Sequence, residues 1–169
     1  MGQVQYLKMV VLGWMLVWGS TAVMGYSGGT GTELDPYLIS TTADLEELSH
    51  TVNYLVDWTK YYQLTADLDM ATPVIPFTPI GNDITQFTGF FDGKGYTISN
   101  LTINLPATDD VGLFGRSTGI ISDLGLINVD ITGKFQIGGL MGNKKGGTIT
   151  NCYAKGTVNG AHNVGGLVH

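Results

Sequence analysis

Residues 137–160, IGGLMGNKKGGTITNCYAKGTVNG, are stated once in looser form before this stretch and begun again after it. Upstream, residues 111–133 read VGLFGRSTGIISDLGLINVDITG, and downstream residues 164–169 read VGGLVH. The apolar pair Leu113-Phe114 returns as Leu140-Met141 and again as Leu167-Val168, 27 residues apart each time. A second anchor keeps nearly the same step, since Gly119-Ile120-Ile121 answers Gly147-Thr148-Ile149 and Thr132-Gly133 answers Asn159-Gly160. Self-similarity at this period means a stack of like units, each too small to bury its own apolar face.

Within the unit, short runs rich in Ile, Val, Thr and Tyr are separated by Gly, Asn and Lys clusters, which is the punctuation of strands and turns. The pattern predicts strands over 137–141, over 148–149 running on to 153, and over 154–158, with turns at 143–147 and at Lys155-Gly156. No stretch from 111 to 169 holds apolar residues at i, i+3, i+4, i+7, so a helical repeat is disfavoured. One turn of 27 residues has a perimeter of at most about 90 Å at roughly 3.3 Å per residue, which suits one coil of a three-sided parallel β-helix. In such a stack like residues lie about 4.8 Å apart. Ile149, Cys152, Ala154 and Val158 are expected inside, and Thr148, Thr150 or Asn151, Tyr153 and Thr157 outside. Glycines 138, 139, 142, 146 and 147 are expected at corners needing positive φ.

The unit resembles the GLUG motif of bacterial secreted and surface proteins. The residues that carry this are Gly139-Leu140-Met141-Gly142, Gly147-Thr148-Ile149-Thr150-Asn151-Cys152-Tyr153-Ala154, Gly156-Thr157-Val158 and Val164-Gly165-Gly166-Leu167-Val168. The resemblance covers about 87–169 and implies a right-handed parallel β-helix, or β-solenoid, of adhesin-like proteins. The shared residues shape a coil and name no activity. The first unit departs by one glycine, with Val111-Gly112-Leu113-Phe114-Gly115, and the last stops at His169 where the pattern calls for Gly.

Residues 1–25 read as a secretory signal peptide: Lys8, an apolar run over 9–18, then small residues Gly19, Ser20, Thr21 and Ala22, with cleavage after Ala22 or Gly25. The run is short for a membrane span and diluted by Gly13, Gly19 and Ser20, so no stable membrane insertion is expected after cleavage. The full chain carries 8 basic and 14 acidic residues; mature from Tyr26 it loses only Lys8, and its net charge goes from −6 to −7. That balance argues against nucleic acid as a partner. Cys152 is the chain's single cysteine, so no internal disulfide forms, and it reads as a small buried hydrophobe.

Residues 26–86 are expected to cap the stack and 87–169 to build it. The opening YSGGTGTELDPYLI, residues 26–39, is similar to the start of many exported β-solenoid proteins, and Pro36 fixes a turn before a short strand. A Gly-rich loop can cradle phosphate, but the Lys-Ser/Thr of a P-loop is missing. Thr41 or Thr42 caps a helix over about 43–52, with Asp44, Glu46 and Glu47 in its first turns. Leu45, Leu48, Val52 and Leu55 make one apolar stripe that would cover the open end of the stack. Residues 61–68 read as a strand, and 71–77, with Pro73 and Pro76 and then Pro79, as a loop leading to Ile80. Residues 87–103, FTGFFDGKGYTISNLTI, place a tight turn at Asp92-Gly93-Lys94-Gly95 between two alternating strands; this turn resembles one common just before the regular coils of parallel β-helix proteins.

The carboxylates are the candidates for chemistry. Asp67 and Asp69 lack the further oxygen ligands of a calcium loop and read as surface turn residues. Asp109, Asp110, Asp123 and Asp130 lie in the first unit with Arg116, the single arginine, and glycoside hydrolysis needs two carboxylates about 5–10 Å apart. Asp123 and Asp130, however, match Asn151 and Val158 in the next unit. His50, His162 and His169 are scattered, and no HExxH or GxSxG occurs. No catalytic, cofactor or metal residues are assigned. Trp58, Tyr61, Tyr62 and Tyr153 could offer flat rings to sugars. The expected role is therefore a secreted or surface-displayed, adhesin-like structural segment without catalysis of its own. The alternatives are a carbohydrate-binding β-helix module and the N-terminal part of a larger exported polysaccharide-active enzyme. Surface glycans or other cell-surface proteins are the expected partners, and edge-to-edge self-association is expected at an open last coil.

Overall fold

The computed structural model describes residues 25–169, so the predicted leader up to residue 24, its apolar run included, lies outside the described residues. The chain is mainly β, and its named strands pair in parallel. The first sheet joins β1 (Tyr37–Ile39), β2 (Tyr61–Leu64), β4 (Phe90–Asp92), β8 (Ile120–Ser122) and β12 (Thr148–Thr150) in that order. The second joins β3 (Leu68–Asp69), β5 (Thr97–Ser99), β9 (Gly125–Thr132) and β13 (Tyr153–Asn159), with β6 (Thr102–Asn104) on the second half of β9. Two further pairs are β7 (Phe114–Ser117) with β11 (Met141–Lys144) and β10 (Phe135–Gly138) with β14 (His162–Gly165).

The register is the sequence repeat made physical. Phe114 pairs with Met141 and Met141 with Val168, so the recurring apolar pair stacks on itself. Ile120 and Ile121 pair with Thr148 and Ile149, and Thr132 with Asn159. Because side chains alternate along a strand, one residue of each set points inward. Tyr62, Phe91, Ile121 and Ile149 form one such row, and Leu68, Ile98, Leu126 and Ala154 another. All but the last residue of each row are buried. Burying a side chain of this size contributes about 2 kcal/mol. Ile149, Cys152, Ala154 and Val158, the expected inward set, pack on that core half-buried, while Thr148, Thr150, Asn151, Tyr153 and Thr157 are exposed.

The strand limits differ from the sequence reading in instructive ways. The run 137–141 divides at Gly139-Leu140 between β10 and β11, and the run 148–153 breaks at Asn151, whose φ is 53°. Lys155-Gly156 is a register shift inside β13, not a turn. Opposite it, Asn128 is the extra residue of β9, so pairing steps by 28 at Leu126↔Ala154 and by 27 at Asp130↔Thr157. Asp130 therefore matches Thr157, and Val158 matches Ile131. Residues 61–68 divide into β2 and β3, and the strands either side of the Asp92–Gly95 turn pair with neighbouring layers, not with each other.

Of the five glycines assigned to positive-φ corners, Gly147 alone has one, at 64°. The left-handed corners fall on Asp110, Gln136 and Asn163 in one stack, Asn100 and Asn128 in a second, and Asp123 and Asn151 in a third. Glycine is required at 138 and 142 for another reason. A Cβ at Gly138 would lie 2.2 Å from the Met141 carbonyl oxygen, and one at Gly142 would lie 2.5 Å from the Val111 nitrogen.

At the N-terminal side, α1 (Thr42–His50) is capped by Thr41 in a reciprocal arrangement. The Thr41 hydroxyl accepts from the Asp44 N–H at 3.2 Å, and Asp44 Oδ2 accepts from the Thr41 N–H at 2.8 Å. Leu45 and Leu48 are buried, but the stripe ends there. The helix stops at His50, so Val52 and Leu55 fall outside its register and are 88% and 69% exposed. A second short helix, α2 (Tyr54–Asp57), follows and delivers Trp58 into the core.

Candidate functional site

The carboxylates of the first unit do not converge on a reaction centre. Asp109 and Asp130 are exposed, whereas Asp110 is buried and accepts from Arg116 Nε and, at 2.8 Å, from Asn143 Nδ2. Asn143 also donates to Gln136 Oε1 at 3.0 Å. Arg116 and Asn143 occupy one rung of the β7–β11 pair, so this network joins two successive layers with its polar groups matched to one another. Asp123 accepts from Asn151 Nδ2 at 2.9 Å.

Asp67 and Asp69 also look along the stack. Asp67 Oδ1 accepts from the Thr97 N–H and hydroxyl at 2.7 and 3.0 Å, and Asp69 Oδ1 from Asn100 Nδ2 at 2.7 Å and the Ala71 N–H at 3.0 Å. The bonds from Asn100 and then Ala71 favour the ionised form of Asp69 and hold its carboxyl below its ordinary range. Among the described residues, no three His, Cys, Asp or Glu side chains are grouped to hold a metal ion. The histidines remain apart: His50 Nδ1 meets the Glu46 carbonyl at 3.1 Å, and His162 stacks on Phe135 with ring centres 5.1 Å apart. Burial pushes the Cys152 thiol pKa up.

The aromatic candidates separate by alternation. Trp58 and Tyr62 are core residues; Trp58 Nε1 donates to the Leu48 carbonyl at 3.0 Å and the Tyr62 hydroxyl to the Asp57 carbonyl at 2.7 Å. Tyr61 and Tyr153 point outward from different sheets, and Lys155 lies over the Tyr153 ring at 5.5 Å. Tyr61 has a partner that the sequence did not announce. Phe90 sits beside it in register, ring centres 5.8 Å apart, and Ile120 extends the row. The row lies in a groove of about 510 Å³ whose lining includes Glu33, Gln63, Asp92 and Lys94. Asp92 and Lys94 form an ion pair at 3.1 Å. Period-two alternation in β2 and β4 was the available signal for this face. The irregular spacing ahead of the regular repeat hid which strands are neighbours.

No family model matches the chain. Halomucin of Haloquadratum walsbyi is 37% identical over 160 residues, which is 88% of this chain and 2% of that protein. A candidate Gly-rich membrane protein of Evansella cellulosilytica is 34% identical over 134 residues, 72% of this chain and 15% of that protein. The chain thus spans a small fraction of the relatives it matches. Among solved structures, a candidate immunoglobulin A1 protease from Bacteroides ovatus superposes with a TM-score of 0.61 at 24% identity, over 78% of this chain and 40% of that one, a likeness of fold.

Proposed function

We propose that the chain is a GLUG-type, right-handed parallel β-helix segment of a secreted or surface-displayed protein, adhesin-like and acting through its shape without catalysis of its own. The observation that carries this is the coincidence of repeat and register: the residues that recur, from Phe114, Met141 and Val168 to Ile121 and Ile149, are those that stack layer on layer. The chain also visits its sheets in a fixed cycle. It passes from β4 to β5 and β6, on to β7, and returns at β8 to the sheet it left. Parallel connections of this kind run right-handed.

A surface or extracellular place is supported by the relatives, a halomucin and a candidate Gly-rich membrane protein. No helix among the described residues is long and apolar enough to cross a membrane. The test is display: the full chain, tagged after residue 169, is expressed in a secreting host and the cells are fractionated and shaved with protease. Recovery in the medium or loss of the tag on shaving is expected, and a protected cytosolic chain overturns the reading. A second reading, a carbohydrate-binding module, is favoured by the half-buried, outward-facing Tyr61 and Phe90 pair.

A further inference from the structure

We infer that the groove on the outer face of the first sheet is a binding site for an uncharged polysaccharide chain, with Tyr61 and Phe90 as its stacking platform. The inference rests on the carbohydrate-binding reading and is independent of where the chain is displayed. A pyranose ring has an apolar face of C–H bonds and a rim of hydroxyls. It is held by an aromatic surface flanked by groups that accept and donate hydrogen bonds. The first sheet supplies both from alternating positions on the same strands. Tyr61 and Phe90 stand in register on β2 and β4, and two residues further along each strand Gln63 and Asp92 stand in register beside them. The rings are 5.8 Å apart and tilted by 32°, so together they present an extended apolar strip across the strands. Gln63 brings an amide donor and acceptor, and Glu33 at the rim brings a carboxylate.

Charge selects among sugar polymers. Among the described residues Lys94 is the one cation in the groove's lining, and its Nζ is held 3.1 Å from Asp92 Oδ2. Glu33 remains as an acidic group, on a chain whose net charge is −6. A polyanion would meet repulsion with no unpaired cation among the described lining residues to collect it, whereas a neutral chain loses nothing. The platform also suits a polymer better than a single sugar. Ile120 continues the apolar row from Phe90 at the next strand, so successive rings of a ligand would each meet a side chain at the strand spacing of about 4.8 Å.

The test is calorimetric titration of the full chain with cellohexaose, xylohexaose and mannohexaose, with polygalacturonate as the anionic comparison. Binding of at least one neutral hexaose is expected. Tyr61→Ala and Phe90→Ala should each weaken it about tenfold, and Tyr153→Ala, equally aromatic but on the other sheet, should leave it unchanged. Circular dichroism and Tm identify any variant that fails to fold; Tyr61→Ser and Phe90→Leu then take its place. The inference is overturned if no neutral hexaose binds, if polygalacturonate binds as tightly, or if the Tyr61 and Phe90 variants bind like the parent. It is equally overturned if the groove is covered in solution by a second copy of the chain, seen as a dimer that dissociates in Phe90→Ala. A displayed chain that binds no sugar sinks this site alone, and a cytosolic chain that binds hexaose sinks the display reading alone.

Discussion

Asn151 donates its side-chain amide to Asp123 Oδ1 across 2.9 Å, and the two residues hold the same left-handed backbone, at φ 53° and 52°. The relationship recurs one corner away. Asn128 Nδ2 donates to Asn100 Oδ1 at 2.6 Å, Asn100 Nδ2 donates to Asp69 Oδ1 at 2.7 Å, and Asn128 and Asn100 lie at φ 54° and 58°. Asn and Asp tolerate this region because a short polar side chain can bond locally. Here one residue type meets two demands, turning the chain and tying its layer to the next.

Asn128 tests that double role. Asn128→Gly keeps the backbone conformation and loses the bond to Asn100, so a loss of about 1 kcal/mol is expected. Asn128→Val also forces a β-branched residue into the left-handed region, raising the loss to about 3 kcal/mol. Urea denaturation of both variants checks the order; equal losses would mean that the backbone demand is negligible.

Gly146 and Gly147 form a matched pair. At Gly147, φ is 64° and an added Cβ would lie 2.0 Å from the Gly119 carbonyl oxygen, whereas at Gly146 the nearest atom is Thr118 Cγ2 at 3.7 Å. Gly147→Ala is expected to cost about 3 kcal/mol and Gly146→Ala about 0.5 kcal/mol or less. Thermal denaturation of the two single variants reads the difference directly.

How much of this was legible is seen at particular residues. The 27-residue step from Phe114 to Met141 to Val168 predicted the parallel register because one apolar residue must stack on its like. Alternation relates Ala154 to Cys152 and to Val158, but Ile149 and Cys152 are an odd step apart and share the inner face across the left-handed corner at Asn151. The left-handed corners were misplaced onto Gly138, Gly139 and Gly142 because a glycine serves equally for positive φ and for close backbone approach, and sequence does not separate the two; Gly146 meets neither demand. The pairing of Tyr61 with Phe90 was hidden for a different reason. It joins β2 to β4, strands that lie ahead of the regular 27-residue step.

The Asp110 network bears on stability. Asp110→Ala leaves Arg116 without its carboxylate and removes one of the two acceptors of Asn143. Complete burial would make this cost about 3–5 kcal/mol. The Arg116 side chain is 24% exposed and regains some water, so about 2 kcal/mol is expected. Asp110→Ala combined with Arg116→Ala should lose less than the two single changes together, and strict additivity in the double-mutant cycle would refute the coupling.

Cys152 should react slowly. Burial is the main cause that raises its thiol pKa, so the thiolate that attacks alkylating reagents is scarce near pH 7. Iodoacetamide labelling of the folded chain is expected to lag the same chain in urea and to climb only above the usual thiol range. The thiol is also a stability term: its contribution is complete below the unfolded pKa of about 8.5 and is lost as pH rises through the folded value. Equal labelling rates with and without urea would contradict its placement against the core.

Asp69 carries the opposite sign. The Asn100 amide, and after it the Ala71 N–H, favour its ionised form and depress the folded pKa below the unfolded value of about 3.9. Its contribution to stability is therefore present above about pH 3.9 and is lost as pH falls through the depressed folded value. Carboxyl-carbon NMR of the folded chain should place its midpoint below the ordinary carboxylate range. Asn100→Ala removes the larger of the two causes, so the midpoint should return most of the way, and acid unfolding should begin at higher pH. Asn100→Asp sets a second carboxylate against Asp69 in place of a donor, and should carry the midpoint further upward than Asn100→Ala does. If Asn100→Ala leaves the midpoint where it was, the Ala71 N–H is the controlling partner, and the bond along the stack serves the layer and not the charge.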